Sequence, residues 1–257
     1  MPAAPEPDRI YEATRDEGRR RLSRPFPELA ATALVGGFDV AFGVAAYALA
    51  ASTVPGRPGR LVGALAFGIG FVFIVVGRSE LFTENFLIPV AGLEVRNRGS
   101  WFKLAELWAI ALVLNVVGGV VLALILTSHG VLPQGADRPV VRLAEHLASY
   151  STLTSLLSAV VAGALMTLMT WFVEGAADSI GVRIVMAWIV GALIVLGTFN
   201  HAIVSTLEEI FGMRYGADVD PGQVVANLGL AVGGNLVGGL LFVTFVRTVQ
   251  AAEGRGG

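Results

Sequence analysis

Cysteine is absent from the 257 residues, and lysine occurs once, at Lys103. The first absence excludes disulfides, thiolate metal sites and cysteine nucleophiles. Charge is scarce as well. Asp, Glu, Lys and Arg make up 15% of the chain, against about one-quarter in an ordinary soluble domain. Together with 54% apolar residues, that shortfall excludes a disordered chain and argues against a soluble fold. The formal net charge of −2 gives no basis for nucleic-acid binding. No His-Glu-x-x-His or Gly-x-Ser-x-Gly motif occurs, and only His201 of the three histidines falls in an apolar segment. Intramembrane enzyme chemistry therefore has little to work with, and no metal or other cofactor is expected.

The apolar residues gather into six segments, about 29–51, 61–90, 104–127, 153–173, 184–211 and 224–246. A helix needs roughly 20 residues to cross hydrocarbon. The predicted fold class is all-α integral membrane, with six transmembrane helices surrounded by lipid. The 32 glycines suit membrane helices that approach one another closely. Three regions follow: a cytoplasmic arm at 1–28, a six-helix membrane domain at 29–248 and a short cytoplasmic tail at 249–257. The arm is charged, carries prolines and has no apolar core of the kind a signal peptide needs. Its Arg19-Arg20-Arg21 run reads as a solvated flank. Twelve basic residues fall on the side of the termini. Five (Arg57, Arg60, Arg138, Arg142 and Arg214) fall on the other. That excess places both termini in the cytoplasm of a plasma (bacterial inner) membrane.

Segments two and five are too long for simple spans. Thirty residues would make a helix of about 45 Å, and hydrocarbon is only about 30 Å thick. Each is interrupted by polar residues: Gly77-Arg78-Ser79-Glu80 in one, Gly197-Thr198-Phe199-Asn200-His201 in the other. Broken helices at membrane depth require protein or a watery cavity beside the freed backbone. The segments also match each other. Ile74-Val75-Val76-Gly77 recurs as Ile194-Val195-Leu196-Gly197, and Asn115-Val116-Val117-Gly118-Gly119 recurs as Asn235-Leu236-Val237-Gly238-Gly239, both at an offset of 120. Two matches at one offset predict a duplication of three spans. An odd number of spans inverts the second copy, giving a 3+3 inverted repeat whose broken helices meet around a permeation site.

Gly77-Arg78-Ser79-Glu80-Leu81-Phe82-Thr83-Glu84-Asn85 resembles the G-x-E-L-F-T-x-N signature of the formate/nitrite transporter family. Phe199-Asn200-His201-Ala202-Ile203 resembles that family's fifth-helix signature, and the two Asn-x-x-Gly-Gly stretches also fit. The resemblance covers roughly residues 25–248. It implies an aquaporin-like protomer in a homopentamer, each protomer with its own pore for a small monovalent anion such as formate, nitrite or hydrosulfide. It implies that Thr83 belongs to the loop breaking helix two, that Leu81 and Phe82 form an apolar constriction on the cytoplasmic side, and that His201 is the pore histidine. The chain departs from the family pattern at Ser205 and Gly163, where members usually carry asparagine. It also lacks the lysine many members have before helix four. Arg78 and Glu84 bring charge where members carry small or polar residues, as in a divergent subgroup.

The residues themselves carry further expectations. An imidazole at His201 can exchange a proton near neutral pH or polarise an anion as a static donor. Thr83 could face it across the pore. Phe67 and Phe71, at i, i+4 spacing, are candidates for the aromatic lining of the inner constriction. Arg78, Glu80 and Glu84 are close in sequence, and isolated charges at depth are costly, so they are expected to pair into a staple at the break; a gate is the sharper alternative. Glu208 and Glu209 are expected near the outer interface, partly hydrated, where a carboxylate pair would disfavour anions. Asp39 reads as a structural polar residue bonded to a neighbouring helix or to the Arg78 group. Asn115, Gly118, Asn235 and Gly238 read as helix-packing residues. Two alternatives stay open: a neutral small-solute pore of water or glycerol type, although neither break carries Asn-Pro-Ala, and a non-conducting relative plugged by the Arg78–Glu84 group.

Overall fold

The computed structural model describes residues 5–253; of the expected tail, 254–257 lie outside them. The described residues form helices and connecting turns, with no strand among them. In chain order the helices are α1 (Pro7–Leu22), α2 (Phe26–Ser52), α3 (Arg57–Gly77), α4 (Ile88–Ala91), α5 (Arg98–Leu126), α6 (Asp137–Ala148), α7 (Thr152–Gly175), α8 (Ile180–Leu196), α9 (Ala202–Arg214), α10 (Pro221–Val237) and α11 (Val246–Glu253). A 3-10 turn at Phe82–Phe86 precedes α4, and a π-helical stretch at Gly238–Phe245 joins α10 to α11. Five helices are long and apolar enough to cross a membrane: α2, α3, α5, α7 and the run Pro221–Ala252. Their outer faces leave Phe42, Ile69, Leu124, Leu157 and Phe242 exposed, which fits hydrocarbon as the solvent there.

The helices pack in two groups. α2 lies against α3 and α5, and α7 lies against α10; α3 joins the groups by packing on α8. Glycine sets the close approaches. A Cβ on Gly118 would strike the Leu34 carbonyl oxygen, and one on Gly238 would strike that of Val160. Gly163 likewise presses on the backbone of Asn235.

Helices α3 and α8 end alike. After Gly77, Arg78 takes a left-handed conformation (φ 56°), and the Ser79 N–H donates to the Ile74 carbonyl at 3.1 Å. After Gly197, Thr198 is left-handed (φ 51°), and the Phe199 N–H donates to Ile194 at 2.9 Å. These are helix-terminating turns normally made by glycine. A β-branched residue there is uncommon. Thr198 is held by neighbours: Arg60 donates to its hydroxyl at 3.3 Å, and the Tyr150 hydroxyl donates to its carbonyl at 3.1 Å.

Candidate permeation site

Each interrupted segment is anchored by an asparagine from a different helix. The Phe82 N–H donates to Asn115 Oδ1 at 2.8 Å, and Asn115 Nδ2 donates to the carbonyls of Ala33 and Glu80 at 2.6 and 2.8 Å. The Ala202 N–H donates to Asn235 Oδ1 at 2.9 Å, and Asn235 Nδ2 donates to the carbonyls of Ala159 and Asn200 at 2.8 and 3.0 Å. Both asparagines are fully buried. Each satisfies three backbone groups that would otherwise be stranded away from water.

The two interrupted segments touch at Thr83 and His201, whose Oγ1 and Nε2 lie 2.8 Å apart. Both side chains are fully buried. His201 caps the amino end of α9: its Nδ1 accepts from the N–H groups of Ile203 and Val204 at 3.2 and 3.1 Å. A nitrogen accepting two N–H bonds carries no proton, so the ring proton sits on Nε2 and is donated to Thr83 Oγ1. The threonine hydroxyl hydrogen is thereby left to donate elsewhere. The Phe71 ring lies 6.1 Å from the imidazole and 5.6 Å from the Phe67 ring. Leu81 and Phe82 are buried, with Phe82 edge-on to Phe86 at 5.2 Å.

Several expectations need correction. Helix α2 runs antiparallel beside α3 and serves as a ruler. Gly43 meets Phe67, whereas the Glu80 backbone meets Thr32 and Gly36. Seven residues separate Gly43 from Gly36, about 10 Å at 1.5 Å per residue. Phe67 therefore sits toward the Arg57 end of α3, with Phe71 between it and His201, and not in one constriction with Leu81 and Phe82.

Arg78, Glu80 and Glu84 do not form a mutual staple. The left-handed turn leaves Arg78 exposed. Glu80, 1% exposed, is bound by two arginines of the arm: Arg21 Nη1 at 2.9 Å and Arg24. Arg21 also donates to Asn85 Oδ1 at 3.1 Å and lies 3.9 Å from Glu84. The Arg19-Arg20-Arg21 run is accordingly not a solvated flank throughout, since Arg21 is largely buried. Burial alone would loosen the proton on Arg21; the charges of Glu80, Glu84 and Glu17 reverse that and hold it above the ordinary arginine range. Asp39 is bonded to Ser79, whose hydroxyl donates at 2.5 Å, and not to Arg78.

Glu208 and Glu209 are buried, at 3% and 1% exposure, and not partly hydrated. α9 is wrapped by α6, α10, α5 and α2, so a position near a helix end is no guarantee of water. Asn227 Nδ2 donates to Glu209 at 3.0 Å, and Asn227 Oδ1 accepts from Asn200 and Ser155 at 2.7 Å each. Sequence reading did not select Asn200, Asn227, Arg21 or Arg24. Two signals were available. Asn200 stands 120 residues from Glu80, and Glu17, Arg21 and Arg24 recur at the spacing of one helix face.

A family model described as Formate/nitrite transporter matches residues 8–249. The chain belongs to the formate/nitrite transporter family. This is a family of membrane transporters and not of enzymes. The chain is 27% identical over 248 residues to the uncharacterized transporter YrhG of Bacillus subtilis, covering 94% of this chain and 91% of the relative. It is 25% identical over 154 residues to the formate channel FocA of Escherichia coli, covering 59% of this chain and 53% of that protein. Two solved structures share the fold. One, a pentameric formate channel with formate bound, superposes with a TM-score of 0.73 at 21% identity over 86% of this chain and 96% of the other. The second, an FNT family ion channel, gives 0.76 at 19% identity over 94% and 98%.

Proposed function

We propose that this protein is a channel or transporter for a small monovalent anion, formate, nitrite or a similar weak acid, which passes beside Thr83 and His201. The observation that carries this reading is the donor chain through those two side chains. The neutral imidazole donates to the threonine oxygen, which leaves the Thr83 hydroxyl polarised to donate to an anion. The amino end of α9 adds a partial positive charge behind the ring. Among the described residues no ion pair involves Thr83 or His201, and the anion meets neutral donors there.

In this reading Phe67 and Phe71 form the apolar constriction on the outer side of His201, and Leu81 and Phe82 form the one on the inner side. The protomer is a 3+3 inverted repeat with helices two and five broken. In support, the left-handed residues, the terminating hydrogen bonds and the asparagine anchors recur 120 residues apart. Spans two and five are then α3 through α4 and α8 through α9. We take the assembly to be a homopentamer by analogy with the solved formate channel. The arm and tail are cytoplasmic, in a bacterial inner membrane.

Proteoliposomes loaded with formate, nitrite, acetate or hydrosulfide provide the test. Flux of at least one of them above empty vesicles is the expected result. Absence of flux for all four, from folded and pentameric protein, would overturn the reading, and rapid osmotic swelling in the same vesicles would favour a neutral-solute pore.

A further inference from the structure

A buried carboxyl in the outer half of the molecule has no role in the reading above. Glu208 is 3% exposed, and its Oε1 has no hydrogen-bond partner among the described residues. It lies seven residues after His201 on α9, which returns it to within about 20° of the same helix face, roughly 10 Å further along. It is an electrostatic neighbour of the Tyr47 and Tyr150 hydroxyls. Tyr47 lines a cavity of about 680 Å³ whose rim carries Arg57, Arg60, Arg138 and Arg142. Glu208 thus lies on the helix that His201 caps and close enough to a residue lining the arginine-rimmed cavity to act on it by its charge.

We propose that Glu208 is the proton-carrying group that neutralises a carboxylate-type anion on its way from this cavity to His201. The proposal rests on the weak-acid reading above. The Glu208 O–H bond breaks and a new O–H bond forms on the anion, giving a neutral acid that crosses the apolar constriction. The carboxylate left behind regains a proton from hydronium in the outer water, through the cavity. Once the anion has left the arginines and reached the depth of Glu208, burial disfavours its bare charge as it does that of the Glu208 carboxylate, and the proton can pass between two carboxyl groups. An unprotonated Glu208 would be a lone buried charge and would repel the next anion.

The groups around Glu208 support this assignment. Glu209 adjoins it on α9, the Tyr47 hydroxyl of α2 and the Tyr150 hydroxyl after α6 lie within reach of its charge, and His146 of α6 stands edge-on to Tyr150 at the cavity wall. Arg60 and Arg142 act on Tyr47 nearer the cavity. α5 presents Gly119 to Leu207 at that level, and the α10 amide Asn227 is engaged by Glu209. Glu209 holds that network through Oε1, while its Oε2 has no partner among the described residues; Glu208 has no such anchor. His201 has one ring nitrogen occupied by two backbone donors and its ring proton given to Thr83, which makes it a poor relay.

The test compares wild type, Glu208→Gln and Glu208→Asp in proteoliposomes, reading formate flux and internal pH while outer pH is varied. Wild type is expected to carry protons with formate and to slow as the outside is made alkaline. Glu208→Gln should lower formate flux by about 100-fold, and the remainder should lose its pH dependence; Glu208→Asp should keep proton coupling with a displaced pH profile. Glu208→Gln flux and pH dependence matching wild type would overturn the proposal. If the glutamine variant does not assemble, a Glu208→Asp profile superimposable on wild type overturns it. Wild type passing no weak acid at all refutes the channel reading instead.

Discussion

Replacing Asn115 or Asn235 with leucine tests whether the two breaks are held by equivalent anchors. The side chains are similar in size, so the main loss is polar. In Asn115→Leu, the Phe82 N–H and the Ala33 and Glu80 carbonyls lose their partner. In Asn235→Leu, the Ala202 N–H and the Ala159 and Asn200 carbonyls lose theirs. A buried group left unpaired costs about 1–3 kcal/mol. Three such groups give about 3 kcal/mol even at the lower bound. For a chain of this size each kcal/mol moves Tm by roughly 2–4 °C, so each variant should melt about 6–12 °C below wild type. Thermal unfolding in detergent, followed by tryptophan fluorescence and by retention of the oligomer, measures this. A shift under about 2 °C for either variant, or a large shift in only one, would refute equivalent anchoring.

Two predictions concern the arm. Replacing both Arg21 and Arg24 with alanine leaves Glu80 buried without its cations, which should cost about 3–5 kcal/mol; adding Glu80→Gln to that variant should recover much of the loss, as chemical denaturation would show. Glu17 in α1 should make arm docking acid-sensitive. Burial raises its proton affinity, but the Arg20 hydrogen bond and the Arg21 charge more than offset that and leave its pKa below 4.5. A depressed carboxylate contributes stability above its unfolded pKa and loses it as pH falls through the folded value. Protease nicking of α1 should therefore rise as pH drops below about 4.5 in wild type and show a weaker rise in Glu17→Gln.

The chain organisation was legible because the bilayer writes simple rules into sequence. Long apolar segments located the apolar helices, and two polar interruptions 120 residues apart marked where α3 and α8 stop. The meeting of Thr83 with His201 was legible for the same reason: polar residues inside long apolar segments are few. The side-chain partners were not. Arg78, Glu80 and Glu84 are sequence neighbours, but a left-handed turn at Arg78 separates the arginine from the glutamates. Glu80 then finds Arg21 and Arg24 more than fifty residues away, a contact set by docking of α1 and not by local pattern. Glu208 and Glu209 were misplaced because α6 covers the end of α9, and coverage by a distant helix leaves no periodic trace in the segment it covers.

Formate efflux from proteoliposomes bearing Thr83→Val is the most direct test of passage beside Thr83 and His201. Valine keeps the shape, removes the hydroxyl and strands the His201 Nε2–H. Loss of one hydrogen bond to the permeating solute, about 1.5 kcal/mol, predicts efflux slower by roughly tenfold, with the protein still folded and fully assembled. Efflux equal to wild type would contradict the account and place the permeation path elsewhere in the protein.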